Sequence, residues 1–209
     1  MVLMIVAALT IVAMRLSRCL PAFRPNRSIK RKRKDPISTM VVFGSGGHTA
    51  EMIRMIRCLK DNKYAPFYFI TGQTDMTTHD SVIAARLPFI HHARWFTVPR
   101  SREVKQSWLS TIFTTLFSCI HSFVIVFSTR PELVLVNGPG TCVPICIAAF
   151  CCNFCGLSSS TIVFTESFCR VKSLSLTGKL LYPICDRFVV QWPELCDKYE
   201  RAEYIGQIC

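Results

Sequence analysis

The sequence predicts an α/β fold, a doubly wound parallel sheet, set behind an N-terminal membrane anchor. Three observations carry the prediction. From Met40 onward, short apolar runs rich in Val, Ile and Phe alternate with stretches of helical pattern; several of those runs end in glycine loops; and the first fourteen residues carry no charged side chain and lead into a basic cluster. Alternation of that kind implies parallel strands joined by helices that cover both faces of a sheet.

The anchor is read from Val2 to Met14, apolar apart from Thr10 and followed at once by Arg15 and Arg18. A basic cluster behind an apolar segment is the positive-inside pattern of a helix whose C-terminal end faces the cytosol. Thirteen residues rise only about 20 Å against a hydrocarbon core of about 30 Å. A span therefore needs Arg15 and Arg18 to snorkel while Leu16, Cys19, Leu20 and Phe23 lengthen the buried segment. A cleaved secretory signal would carry its charge ahead of the apolar run, and a mitochondrial presequence would be less uniformly apolar. Residues 1–23 are read as an uncleaved anchor that spans the membrane or lies in its interface, 24–36 as a basic linker, and 37–209 as the folded domain.

Nine of the 25 Lys and Arg precede Asp35 with no acid among them, leaving 16 against 13 acids, so the formal charge of +12 falls to +3 for the body. A run of like charges is a solvated arm, and a nearly neutral body gives no footprint for nucleic acid, which is not expected as a partner.

The first strand is "MVVFG", and a helix is expected over 49–60, with Met52, Ile53, Ile56 and Leu59 on its apolar face and Glu51, Arg54, Arg57 and Lys60 on its polar one. The run "PFYFITG" is the second strand, "SVIAARL" a short helix and "RWFTV" the third strand. Residues 108–129 carry no formal charge and have the length of a membrane helix, yet Ser110, Thr111, Thr114, Thr115, Ser118, His121, Ser122 and Ser128 make them polar for lipid. A helix covering the sheet, resting against a membrane surface, is the preferred reading. The fourth strand and its loop follow in "PELVLVNGPG", a cysteine-rich helix in "TCVPICIAAFCCNFCGL", the fifth strand in "STIVFTES", a helix in "SLTGKLLYPICD" and the sixth strand in "RFVVQW".

Five of the twelve cysteines, Cys142, Cys146, Cys151, Cys152 and Cys155, share that one apolar stretch. Small apolar thiols at such spacings suit a buried helix in a reducing compartment rather than a disulfide framework. Cys152 and Cys155 have the spacing of half a zinc site, but with no second pair and no nearby His no metal is expected. His91, His92 and His121 have no ligand partners at metal spacing and carry no functional weight.

In a doubly wound sheet, ligands bind beyond the carboxyl ends of the strands. Three such ends carry suggestive residues: "GSGGHT" after the first strand, "NGPGT" after the fourth and "TESF" after the fifth. Glycines let backbone N–H groups approach a phosphate, and a helix N-terminus adds partial positive charge, so a diphosphate would fit across these loops. A nicotinamide or flavin site fits poorly, because Thr49 stands where the dinucleotide fingerprint has its third glycine, and Asp75 lies beyond the position of its ribose-binding acid. A P-loop fails because no Lys follows the glycines.

The blocks "GSGGHTAEM", "NGPGTCVP" and "ESFCRVKSLSLTGKLLYPICDRFVVQWPEL" resemble the asparagine-linked glycosylation protein 14 family over nearly all of residues 37–208. That family is the membrane-anchor subunit of the UDP-N-acetylglucosamine transferase that makes chitobiosyl-diphosphodolichol. It is similar in turn to the amino-terminal half of the bacterial transferase that adds GlcNAc to the lipid-linked peptidoglycan precursor. The resemblance implies a Rossmann-like domain, the acceptor-binding half of a GT-B fold, facing the cytosol at the endoplasmic reticulum membrane. It also implies a soluble partner subunit that carries UDP-GlcNAc, and inverting transfer with no cofactor and no obligatory metal.

The implied ligand is dolichol-diphosphate-GlcNAc, with Gly44, Ser45, Gly46, Gly47, His48 and Thr49 around the phosphates and Asn137, Gly138, Gly140 and Thr141 closing the second side. His48 would donate a hydrogen bond to the diphosphate or accept the acceptor hydroxyl's proton; Glu166, placed near the acceptor sugar, is a comparable candidate base. At the C-terminus, Tyr199, Tyr204, Ile205 and Ile208 form an apolar strip that packs on the domain or docks the partner. Two other classes compete with the transferase: a membrane scaffold that only tethers the partner, and a nucleotide-dependent oxidoreductase.

Overall fold

A computed structural model describes residues 1–23, 35–60, 62–100, 108–138 and 140–208. Most of the expected basic linker, much of the loop before residue 108, Pro139 and Cys209 lie outside the described residues.

In chain order the elements are α1 (Val2–Cys19), β1 (Ile37–Val42), α2 (Gly47–Ile56), β2 (Tyr64–Gly72), α3 (Thr78–Ala84), β3 (Arg94–Val98), α4 (Trp108–Thr129), β4 (Leu133–Asn137), α5 (Cys142–Cys155), β5 (Thr161–Thr165), α6 (Leu176–Leu181), β6 (Arg187–Val190) and β7 (Ala202–Tyr204). The seven strands form one sheet in the order β3-β2-β1-β4-β5-β6-β7, and every neighbouring pair is parallel. The chain winds outward from β1 in one direction and from β4 in the other, which makes the β1/β4 boundary the topological switch point of a Rossmann-like sheet.

Strand periodicity explains the two cores. Met40 and Val42 point to one face with Ile70, Val134 and Val136, against Val126 of α4, Ile145 and Ala149 of α5, and Leu181 of α6. Val41 and Phe43 point to the other with Phe67 and Phe69, against Met52 and Ile56 of α2 and Val82 of α3. The sheet is thus covered on both faces, as uninterrupted apolar strands require.

Several boundaries differ from the sequence reading. The first covering helix begins at Gly47 and ends at Ile56 rather than running over 49–60, because Gly46 turns the chain straight into it. The short helix after β2 starts earlier than "SVIAARL", at Thr78, where the Asp75 carboxylate accepts from the Thr78 N–H at 3.2 Å and the Thr78 hydroxyl at 2.6 Å. Asp75 is therefore committed to capping. A seventh strand, unforeseen from the tail, adds to the β6 edge; Arg201 holds its start by donating to the carbonyls of Tyr182 at 2.7 Å and Cys185 at 2.5 Å.

α4 covers the sheet as expected. It packs on α5 and β3, with Ser118 and Ser122 buried beneath it. Its outer face, with Ile112, Phe113, Leu116, Phe117, Ile120 and Val124, is exposed. Among the described residues it holds the one stretch, Thr111–Thr129, found long and apolar enough to cross a membrane. α1 lies against α5, with the Arg15 guanidinium beside Gly156 at the C-terminal end of that helix. All the described cysteines are free thiols.

Candidate functional site

The three glycine or carboxylate loops emerge from β1, β4 and β5, which are adjacent in the sheet, so they form one rim at the switch point. Phe43 is buried at the end of the first, and Gly46 then takes φ +62° and ψ −122°, a conformation open essentially to glycine alone. Two hydroxyls fasten the turn from below: Thr49 donates to the Gly44 carbonyl, and the Thr78 hydroxyl, held by Asp75, lies 3.1 Å from that carbonyl and 2.9 Å from the Thr49 hydroxyl. Thr49 is thus buried beneath the loop as a support, while Gly47 and Ser45 stand on its exposed side.

His48 follows on the first turn of α2 with its side chain 33% exposed. Its ring lies over Gly138, whose φ is +55°; a Cβ there would stand 2.3 Å from Cε1 and 2.6 Å from Nδ1 of the imidazole. The loop after β4 therefore closes directly on the histidine. Asn137, fully buried, ends β4 and donates from Nδ2 to the His48 carbonyl at 2.8 Å. Behind it the Cys142 thiol donates to the Asn137 carbonyl at 3.6 Å; burial pushes that thiol far up, which leaves it an inert contact. Gly140 and Thr141 lead into α5, whose N-terminus faces the same rim.

Glu51 is the residue that the sequence pattern missed. Its position on a helical wheel, in line with Arg54 and Arg57, reads as solvent-facing, yet it is 8% exposed. Its Oε1 accepts from the Ser167 hydroxyl and the Phe168 N–H, both at 3.1 Å, and its Oε2 lies 3.4 Å from both His48 Nδ1 and Asn137 Nδ2. Burial pushes this carboxyl up, but the hydrogen bonds from His48, the Phe168 N–H and Ser167, with the His48 charge, outweigh it and leave the group below its ordinary range. The Glu-three-after-His spacing on one helix was the only local signal for the contact.

Glu166 occupies a different setting. It is 0% exposed, and its carboxylate accepts from the Ser167 N–H at 3.0 Å and from the N–H and hydroxyl of Ser175 at 2.9 and 3.1 Å. Ser175 is the N-cap of α6, accepting from the Gly178 N–H. Glu166 thus ties the loop after β5 to that helix, and Gln191 and Trp192 secure the same loop by donating to the carbonyls of Glu166 and Phe168. In the tail, Tyr199 packs against the core, Tyr204 and Ile205 are 43% and 64% exposed, and the Ile208 N–H donates to Gln191 Oε1 at 3.1 Å.

The family model described as oligosaccharide biosynthesis protein Alg14 like matches residues 39–208. The chain is 42% identical over 190 residues to the UDP-N-acetylglucosamine transferase subunit ALG14 of Homo sapiens, covering 87% of this chain and 88% of that one. The subunit of the same name from Schizosaccharomyces pombe is 45% identical over 186 residues, covering 86% and 88%, and that of Saccharomyces cerevisiae 36% identical over 191 residues, covering 85% and 79%. Among solved structures, MurG of Acinetobacter baumannii shares the fold, with a TM-score of 0.56 at 14% identity; the match covers 76% of this chain but only 43% of MurG.

Proposed function

The chain belongs to the Alg14 family of oligosaccharide biosynthesis proteins, and on that premise we propose that it is a subunit of the UDP-N-acetylglucosamine transferase that adds the second GlcNAc to dolichol-diphosphate-GlcNAc. The carrying observation is the rim at the β1/β4 switch point, where a half-buried imidazole with an open edge is clamped between a glycine loop and Gly138. Backbone N–H groups from Gly44 to His48, with the α2 N-terminus, hold the diphosphate, while Thr49, expected among its contacts, only supports the loop because its N–H is given to the Gly46 carbonyl; Gly138, Gly140 and Thr141 close over the other side. Asn137 fixes the turn at His48 from beneath.

In this reading His48 is the base: its ring is accessible, whereas the Glu166 carboxylate is buried and fully engaged, so Glu166 acts by positioning the third loop. The imidazole takes the proton of the acceptor hydroxyl as that oxygen attacks the anomeric carbon of GlcNAc, and UDP departs from the opposite face with inversion. The donor nucleotide is held by a soluble partner subunit, which docks along the β7 edge through Tyr204, Ile205 and Ile208. Residues 1–23 anchor the chain at the endoplasmic reticulum with the domain on the cytosolic side. The exposed apolar face of α4 lies in the membrane surface. As the helix that leaves β3, α4 starts from the carboxyl rim, which brings the acceptor's lipid to the site.

The test is transfer by the co-expressed complex to a short-chain lipid diphosphate-GlcNAc acceptor. His48→Ala and Gly47→Asp should abolish turnover while the partner still co-purifies. Full activity in both variants would leave this chain a tether only.

A further inference from the structure

The Glu51 carboxylate is the one described side chain that reaches all three loops of the rim. It is carried on α2, accepts from Ser167 and Phe168 after β5, and meets Asn137 at the end of β4. A carboxylate has only acceptor oxygens. Its Oε2 faces His48 Nδ1 at 3.4 Å, so the hydrogen between them belongs to the ring. A neutral imidazole has one N–H, and with Nδ1 carrying it, Nε2 is left as the acceptor.

We propose that Glu51 is a positioning residue that holds His48 in the Nδ1–H tautomer and so keeps Nε2 free to take the acceptor's proton. The catalytic half of this inference rests on the transferase reading above; the tautomer does not. Glutamine at position 51 cannot serve both sides of the network. If its carbonyl keeps the Ser167 hydroxyl and the Phe168 N–H, its NH2 group faces His48 Nδ1 and forces that nitrogen to accept. The ring proton then moves to Nε2, which no longer takes a proton. Glu51 also explains why the loops hold together: a single carboxylate answers donors from β4, from the loop after β5 and from the histidine itself.

Two measurements test this. The first is the tautomer of His48 in the full chain, labelled with [15N]histidine in detergent micelles at near-neutral pH, its signals assigned by their loss in His48→Ala. Nδ1–H is expected in the unmodified chain and Nε2–H in Glu51→Gln, while Ser167→Ala, which removes one donor from the far oxygen, keeps Nδ1–H. The second is turnover by the complex with its partner subunit: Glu51→Gln should lower kcat by about a hundredfold, the scale of losing general-base catalysis, with KM for the lipid diphosphate changed less than about threefold. An unmodified chain protonated at Nε2, or a Glu51→Gln chain whose tautomer is unchanged, overturns the positioning role, and the first of these needs no variant to fold. A flipped tautomer with undiminished kcat upholds the positioning of the ring and overturns His48 as the base.

Discussion

Gly138 is glycine for two separate reasons, its φ of +55° and the imidazole where a Cβ would stand. Gly138→Ala should therefore cost about 1–2 kcal/mol in backbone strain alone and push the His48 ring off the rim, so thermal melts and turnover should fall together. Gly47 differs: its φ is not left-handed, and nothing lies within 4 Å of a Cβ built there. Gly47→Ala should melt like the unmodified chain, and any loss of transfer in it reports on the ligand's approach rather than on folding. Glu51 adds a pH dependence. Its folded-state carboxyl lies below the ordinary carboxylate range, so its stabilisation is present above that range and is lost as pH falls through the folded-state value. Melting temperatures of the full chain in detergent across the acid range should fall more steeply for the unmodified chain than for Glu51→Gln.

At the scale of elements, α4 shows where the hydroxyls of an uncharged helix go when it covers a sheet. Ser118 donates to the Pro99 carbonyl at 2.8 Å, and Thr114, Ser128 and Thr129 return their hydroxyls to carbonyls of their own helix. Those groups add little polarity to the outer face, which is left apolar but for the exposed His121 beside Phe117. With residues 1–34 removed, the domain should still float with lipid vesicles, and Phe113→Glu combined with Phe117→Glu should keep it in the aqueous fraction. If the shortened, unsubstituted domain stays aqueous, α4 is only a cover for the sheet. α6 depends on a contact of similar closeness, since a Cβ at Gly178 would stand 2.3 Å from Glu166 Oε2. Gly178→Ala should destabilise by about 1–3 kcal/mol, as overpacking does. Glu166→Gln should lower the melt while its folded fraction retains turnover, as a buried capping carboxylate requires.

For the whole molecule, the described residues form a single seven-stranded sheet, and the proposed transferase reading has a partner subunit complete the cleft. Purified alone with UDP-GlcNAc and acceptor, the chain should give no transfer above background, and the partner subunit should restore it. Deleting residues 204–209 should weaken recovery of the partner in a pull-down. It should also loosen the third loop, because the Ile208 N–H reaches Gln191, whose amide holds the Glu166 carbonyl. Turnover by the isolated chain would overturn the half-enzyme reading; an intact complex after the deletion would place docking elsewhere on the domain.

What the sequence determined by itself was local. The uninterrupted apolar run "MVVF", glycine where the chain must turn into α2, and the apolar face of Met52 and Ile56 are each dictated within a few residues, so the alternation of strands and helices and the three loops were legible. The tertiary structure decided what long-range pairing controls. Only the order β1-β4-β5 makes the loops neighbours, and only the packing of α2 against the loop after β5 turns Glu51 inward, although its helical wheel groups it with Arg54 and Arg57. The same holds for Glu166, which has the residue type of a base but is closed off by Ser175 of a helix that begins ten residues later, and for β7, whose three residues form a strand only because β6 offers them an edge. Side-chain chemistry is written in the sequence; exposure and partners are set by residues distant along the chain that share no local pattern with it.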